Sequence, residues 1–205
     1  MHIRSFSAIL LLISMSAAVQ AAEPISIFGL ELGRPFALQE CGWKKVSKTL
    51  NFYNASNAAV CYQHTVGFAE VGKGINPADD SVFVIWPQGH EPELVSGYSL
   101  MAHVIDGNLE SVGFNTLGVV SQDRDMKALT DKFGAPAGAV TPTVQNRFGA
   151  TAQIITAEWR LGDVSVHFNS AENGLDKGFV RVETEKSVAA RNAFLEKLHA
   201  AKQKL

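Results

Sequence analysis

Three runs in the last third of the chain alternate apolar and polar residues one for one, and this period limits what the chain can become. In 153–160, Ile155, Ala157 and Trp159 share one face and leave Thr156, Glu158 and Arg160 on the other. In 163–169, Val164, Val166 and Phe168 oppose Ser165 and His167, and in 179–184, Val180 and Val182 oppose Arg181 and Glu183. Successive side chains of a strand point to opposite faces, so a period of two describes an antiparallel sheet with one buried and one wet face.

Further elements follow from local chemistry. Ser99–Ile105 and Leu109–Thr116 flank Asp106-Gly107, a pair that accepts the positive φ angles of a tight hairpin. A loop of two residues and one of three both fit, so the register stays open. Val82–Trp86 is an apolar strand stopped by Pro87, Ala59–His64 another strand, and 25–33 a strand interrupted at Gly29. Ser121–Phe133 reads as a helix. Ser121 is placed to cap it, Asp123 and Asp125 suit its positive end, and Met126, Leu129, Thr130 and Phe133 recur at helical spacing before Gly134. A terminal helix over Ser187–Lys204 is apolar at Phe194, Leu198 and Ala201 and basic at Lys197, Lys202 and Lys204. A short helix over Pro35–Trp43 would carry Cys41. Residues 44–58 and 67–80 read as loops.

The expected class is α+β: a mostly antiparallel sheet, helices on one side, and a C-terminal helix. Both halves run through a helix, a Gly-x-Pro turn or its near equivalent, and a meander closing at Thr. This order is that of two tandem helix-plus-meander units, 23–117 and 118–205. A unit of this size cannot cover both faces of its own sheet, so two side by side make physical sense.

Residues 1–22 read as a secretory signal peptide: a basic start at Arg4, an apolar run from Ala8 to Ile13, and small residues up to Ala21-Ala22. The run is too short to span a bilayer, and no later segment matches it, so no transmembrane segment is expected after cleavage. The expectation is an exported protein of a bacterial periplasm. Removing 1–22, which holds Arg4 and no acid, takes the net charge from −2 to −3, with 17 basic and 20 acidic residues. So balanced a surface, without a basic stripe, gives no case for nucleic acid.

Cys41 and Cys61 are the two cysteines. In an oxidising compartment they are expected to form one disulfide, worth roughly 3 kcal/mol by loop-closure entropy. A structural zinc wants four ligands, and His64 nearby offers only a third. No Cys-x-x-Cys spacing speaks for redox chemistry.

Motifs for catalysis are missing from the linear sequence. His64, His90, His103, His167 and His199 are scattered, with no His-x-His or His-Glu-x-x-His spacing. There is no Gly-x-Ser-x-Gly elbow. Asp79-Asp80 cannot both point one way in an extended chain, and Asp123 and Asp125 are explained by a helix start. Val71-Gly72-Lys73-Gly74 lacks the full phosphate-loop pattern, and Asn54-Ala55-Ser56 matches a glycosylation acceptor that a bacterial source would leave idle. Trp43, Trp86 and Trp159 are expected in the core, with Trp86-Pro87 the better candidate for a binding platform. No cofactor or metal is expected.

The helix, Phe133-Gly134-Ala135-Pro136, the strand containing Trp159, Val164-Ser165-Val166-His167-Phe168 and the strand led by Gly178 together resemble the units of β-lactamase-inhibitor-protein-like and BamE-like envelope folds. The resemblance covers 118–185 well and the first half loosely, where Gly33-Arg34-Pro35 precedes the expected helix instead of following it. It implies exported proteins that bind other proteins through a sheet face and catalyse nothing, and none of the family's contact residues transfers to these positions. The expected role is therefore non-catalytic binding of an exported or envelope protein. The surface to test is the wet face of Thr156, Glu158, Arg160, Ser165, His167, Arg181 and Glu183. The rival is a small secreted hydrolase whose residues meet only on folding. A third reading sets the basic terminal helix against acidic lipid.

Overall fold

The computed structural model describes residues 24–45, 51–53, 59–65, 74–97, 99–145, 149, 151–172 and 174–202. The expected leader, Asn54, Val71-Gly72-Lys73 and much of the loop expected over 67–80 lie outside them.

In chain order the elements are β1 (Ser26–Ile27), β2 (Leu30–Glu31), β3 (Trp43–Lys45), β4 (Asn51–Tyr53), β5 (Cys61–His64), β6 (Asp79–Ile85), β7 (Ser99–Ile105) and β8 (Asn108–Thr116). Then come α1 (Gln122–Phe133), β9 (Gly138–Val140), β10 (Thr143–Gln145), β11 (Thr151–Gln153), β12 (Thr156–Leu161), β13 (Val164–Asn169), β14 (Gly178–Thr184) and α2 (Glu185–Lys202). The α+β class, the antiparallel sheet and the C-terminal helix are as the sequence leads one to expect.

Eight strands make one sheet in the order β5-β6-β7-β8-β14-β13-β12-β9, and every neighbouring pair is antiparallel. One meander runs from β5 to β8 and another from β12 to β14. They meet where β14 pairs with β8, from Gly178↔Thr116 to Glu183↔Ser111. The β7–β8 loop has two residues, since Ile105 pairs with Asn108 and Asp106 and Gly107 take φ of 50° and 78°. Between His103↔Ser111 and Val104↔Leu109 the register shifts by one residue. Glu110 is the extra residue of this bulge, which brings Leu109 and Glu110 both into buried positions.

One sheet face is largely apolar, though His64 and Asp80 also lie on it. Val82, Val84, Leu100, Ala102, Val112, Phe114, Trp159, Val166, Phe168, Val180 and Val182 belong to a single core spanning both meanders. Near β5–β8, the β1–β2 hairpin contributes Ile27, Leu30 and Leu32 to it. Phe28, in that hairpin's turn, holds φ at 53°, a region costly to a residue with a Cβ. Its ring packs edge-on to Phe114 at 5.2 Å and Trp86 at 6.1 Å, and these contacts offset the strain. Near β12–β14, α1 buries Leu129 in the core and sets Phe133 6.4 Å from Trp159. Trp159 Nε1–H donates to the Gly134 carbonyl at 2.8 Å, so the helix end is joined to the sheet.

Several expectations change. No helix forms over the described Pro35–Trp43; Pro35 bridges Asn108, and Glu40 bridges Tyr62 in parallel. Within the loop expected over 44–58, β3 and β4 pair from Trp43↔Tyr53 to Lys45↔Asn51. Ser121 stands before α1 but does not cap it through its side chain; the hydroxyl donates to Asp125 at 2.6 Å instead. Trp86 and Trp159 lie in the core, as expected.

Cys41 and Cys61 are joined. The bridge is therefore between β5 and an extended segment, not a helix. Tyr62 N–H donates to the Gln39 carbonyl, and Cys41 N–H to the Tyr62 carbonyl, each at 2.9 Å. That segment covers the outer margin of β5, where unpaired backbone would otherwise lie open.

The two helices do not share a side. α1 packs on the apolar face, whereas α2 turns back over the polar one, its Arg191 reaching Glu183 of β14. No helix among the described residues is long and apolar enough to cross a membrane.

Candidate functional site

Register across β12, β13 and β14 sorts the polar face into rows. Glu158, His167 and Arg181 are paired neighbours in one row, and Arg160, Ser165 and Glu183 in the next. Above them stands α2, held at its start by ions and hydroxyls. Lys186 Nζ lies 2.8 Å from Asp106 and 3.6 Å from Glu110, carboxylates of the β7–β8 hairpin. The Lys186 ammonium is held above its ordinary value, chiefly by its hydrogen bond to Asp106. Thr184 Oγ1 donates to Glu110 and accepts from Ser187 N–H at 3.3 Å. One turn further, Arg191 donates to Glu183 at 3.0 Å.

Sheet and helix leave an open groove of about 710 Å³ between them. Glu158, Arg160, Ser165, His167, Arg181 and Glu183 line it from the sheet, and Val188, Ala189, Arg191 and Asn192 from α2. Six of the seven residues expected on the wet face therefore meet in one concavity. Thr156 sits at the far end of β12 and does not line it. Glu183, expected wet, is only 6% exposed because α2 and Arg191 cover it. The α2 wall is what sequence reasoning missed. Arg191 and Glu183 stand eight residues apart across the β14–α2 junction, a spacing beyond the three- or four-residue reach of a pair within one helix.

The cations of the groove differ in their restraint. Arg191 is paired with Glu183, whereas Arg160 and Arg181 have no carboxylate partner among the described residues. Arg181 lies over the Phe179 ring, 5.1 Å from its centroid, a favourable place for a cation. Phe179 in turn rests on Gly113, where a Cβ would come within 2.8 Å of the ring. The glycine thus makes the floor low enough for the aromatic, and the aromatic carries the guanidinium. His167 Nδ1 stands 3.7 Å from Glu158, with both side chains partly in water.

Elsewhere the fold joins residues that the sequence leaves apart. Asp79 and Asp80 point to opposite faces, as an extended chain requires, and each meets a histidine. Asp79 lies 2.7 Å from His103 Nε2 on the polar face, and Asp80 3.6 Å from buried His64 Nδ1. Ser81 and Ser111 flank His103 in register, yet neither hydroxyl bonds to it. Asp79 is 71% exposed, whereas the acid of a hydrolytic triad is buried to orient its histidine. His90 and His199 are exposed. Among the described residues no three His, Cys, Asp or Glu side chains gather closely enough to hold a metal.

No protein-family model, no curated protein and no solved structure matches this chain.

Proposed function

We propose that this is an exported, non-catalytic binding protein of a bacterial periplasm, which engages a protein or envelope component through the groove between α2 and the polar sheet face. The observation that carries the reading is the pair Arg160 and Arg181: two guanidinium groups in one concavity, neither ion-paired among the described residues. Guanidinium forks offer several fixed donors and suit carboxylate or backbone acceptors of a partner. The meeting of two meanders through their last strands supports reading the chain as two tandem units, 23–117 and 118–205. The second unit, with α1, has the helix-plus-meander layout that the resemblance to β-lactamase-inhibitor-protein-like and BamE-like folds implies, and the first has the meander without that helix among the described residues. The disulfide is compatible with an oxidising compartment, which supports export.

Affinity capture from the native envelope tests the groove. Charge reversal at Arg160 and Arg181 is expected to remove the specific partner while thermal unfolding stays within a few degrees of the parent. A partner set unchanged by both reversals would count against the groove.

The hydrolase remains a second reading because His103 and Asp79 do meet. It predicts ester hydrolysis that disappears in His103→Ala. The exposure of Asp79 and the unbonded serines favour the binding role.

A further inference from the structure

The outer part of α2 makes no use of the protein beneath it. Arg191 is the last α2 residue with a hydrogen bond or ion pair to the sheet, and every residue from Asn192 to Lys202 is exposed. A helix continuing for about three turns without packing is marginal in water. Yet this one carries large apolar side chains: Phe194 is 60% exposed, and Leu195 and Leu198 each 41%. The spacing gathers them. Leu198 follows Phe194 by four residues and Leu195 by three, and Ala201 extends the same stripe. Lys197 lies beside the stripe, one turn on from Phe194, and Lys202 follows Leu198 on the same face, so one ammonium flanks the stripe and another stands at its end. Glu196, two residues from both Phe194 and Leu198, faces away.

We infer that this segment, from Ala193 to Lys202, is a docking element for an anionic lipid surface. A helix of this pattern lies in the interface, its apolar side chains among the acyl chains and its lysines extended to the headgroups. It lies on the membrane and does not span it, since α2 is not apolar enough to cross. Charge decides between occupants. A second copy of the chain would bring the same lysine-bordered stripe and set cation against cation. An anionic lipid surface supplies the complement to both lysines together. The inference does not depend on what fills the groove.

Flotation of the full chain with lipid vesicles is the test. Phosphatidylcholine vesicles and vesicles containing phosphatidylglycerol are compared, the first also reporting any contribution of an uncleaved leader. Binding is expected on the anionic vesicles alone, weakening as salt is raised. Lys197→Glu with Lys202→Glu should weaken it by at least about thirtyfold, and Phe194→Ser with Leu198→Ser should abolish it. All four residues are exposed, so near-ultraviolet circular dichroism should match the parent in both variants. Absence of flotation overturns the inference, as does flotation that neither pair of substitutions changes. A concentration-dependent dimer lost in Phe194→Ser/Leu198→Ser, without vesicle binding, assigns the stripe to a second copy instead. Capture of an acidic protein through the stripe, again without vesicle binding, assigns it to that partner.

Discussion

Gly118 precedes α1 at the point where residues 174–177 cross it. A Cβ there would lie 2.4 Å from the Leu175 carbonyl oxygen and 2.6 Å from the Asp176 carbonyl carbon, and φ is +72°. Backbone cannot step aside as a side chain can. Gly118→Ala should therefore cost at least about 3 kcal/mol, steric overlap adding to left-handed strain. Gly33, at φ +71° with open space around it, provides the control: Gly33→Ala should cost only about 1–2 kcal/mol. Urea denaturation separates the two, and equal losses would mean that the loop crossing moves freely. Residue chemistry was legible where it acts on its own backbone. Asp106-Gly107 announced positive φ, and both residues adopt it. It was not legible at Ser121, whose hydroxyl had a carboxylate one turn away as an alternative to the helix end.

At the scale of elements, α2 is fixed by charge more than by burial. Arg191→Ala would leave the Glu183 carboxylate enclosed without its cation, and should destabilise the fold by about 2 kcal/mol. Amide exchange in α2 should accelerate well before that of β13 and β14; equal acceleration everywhere would refute a local tether. Alkali should reveal the same contacts. Burial, then the Glu40 and Asp80 carboxylates, hold the Tyr62 hydroxyl above its ordinary 10.0, and Asp106 chiefly holds Lys186 above 10.5. In each case the folded chain keeps a proton that the unfolded chain releases. The contribution is thus whole below the unfolded pKa and is lost as pH climbs through the folded value. Stability should fall above about pH 10, and less steeply in Tyr62→Phe and in Lys186→Met. Profiles parallel to the parent would contradict this. The sequence made α1 readable because its stripe, acidic start and terminal glycine agree. It misled over Pro35–Trp43, where bonds from distant Tyr62 and Asn108 hold the backbone extended. Nothing within nine residues could report those partners.

For the whole molecule, alternation was enough to foretell an antiparallel sheet with one buried face, since Val, Phe and Trp can hide nowhere else. The strand order was less accessible, and the groove less still. Its shape depends on α2 folding over the polar face, which the Lys186 pair with distant Asp106 and the Arg191 pair with Glu183 across the β14–α2 junction decide. β9 was missed because all three of its residues are exposed and show no alternation. The disulfide adds a global prediction. Cys41→Ala with Cys61→Ala should lower stability by roughly 3 kcal/mol, and it should also promote aggregation by loosening the cover on β5. Light scattering under mildly destabilising conditions should rise in the double variant; an unchanged signal would show that Gln39–Cys41 stays in place unaided.

One sulfur bond thus holds the selvedge of an eight-strand weave. A freshly synthesised chain among reducing thiols would possess every residue of that border without its fastening. Completion of the architecture is then coupled to an electron acceptor supplied by the surroundings, and the moment of oxidation becomes the moment at which β5 ceases to invite a stranger's strand.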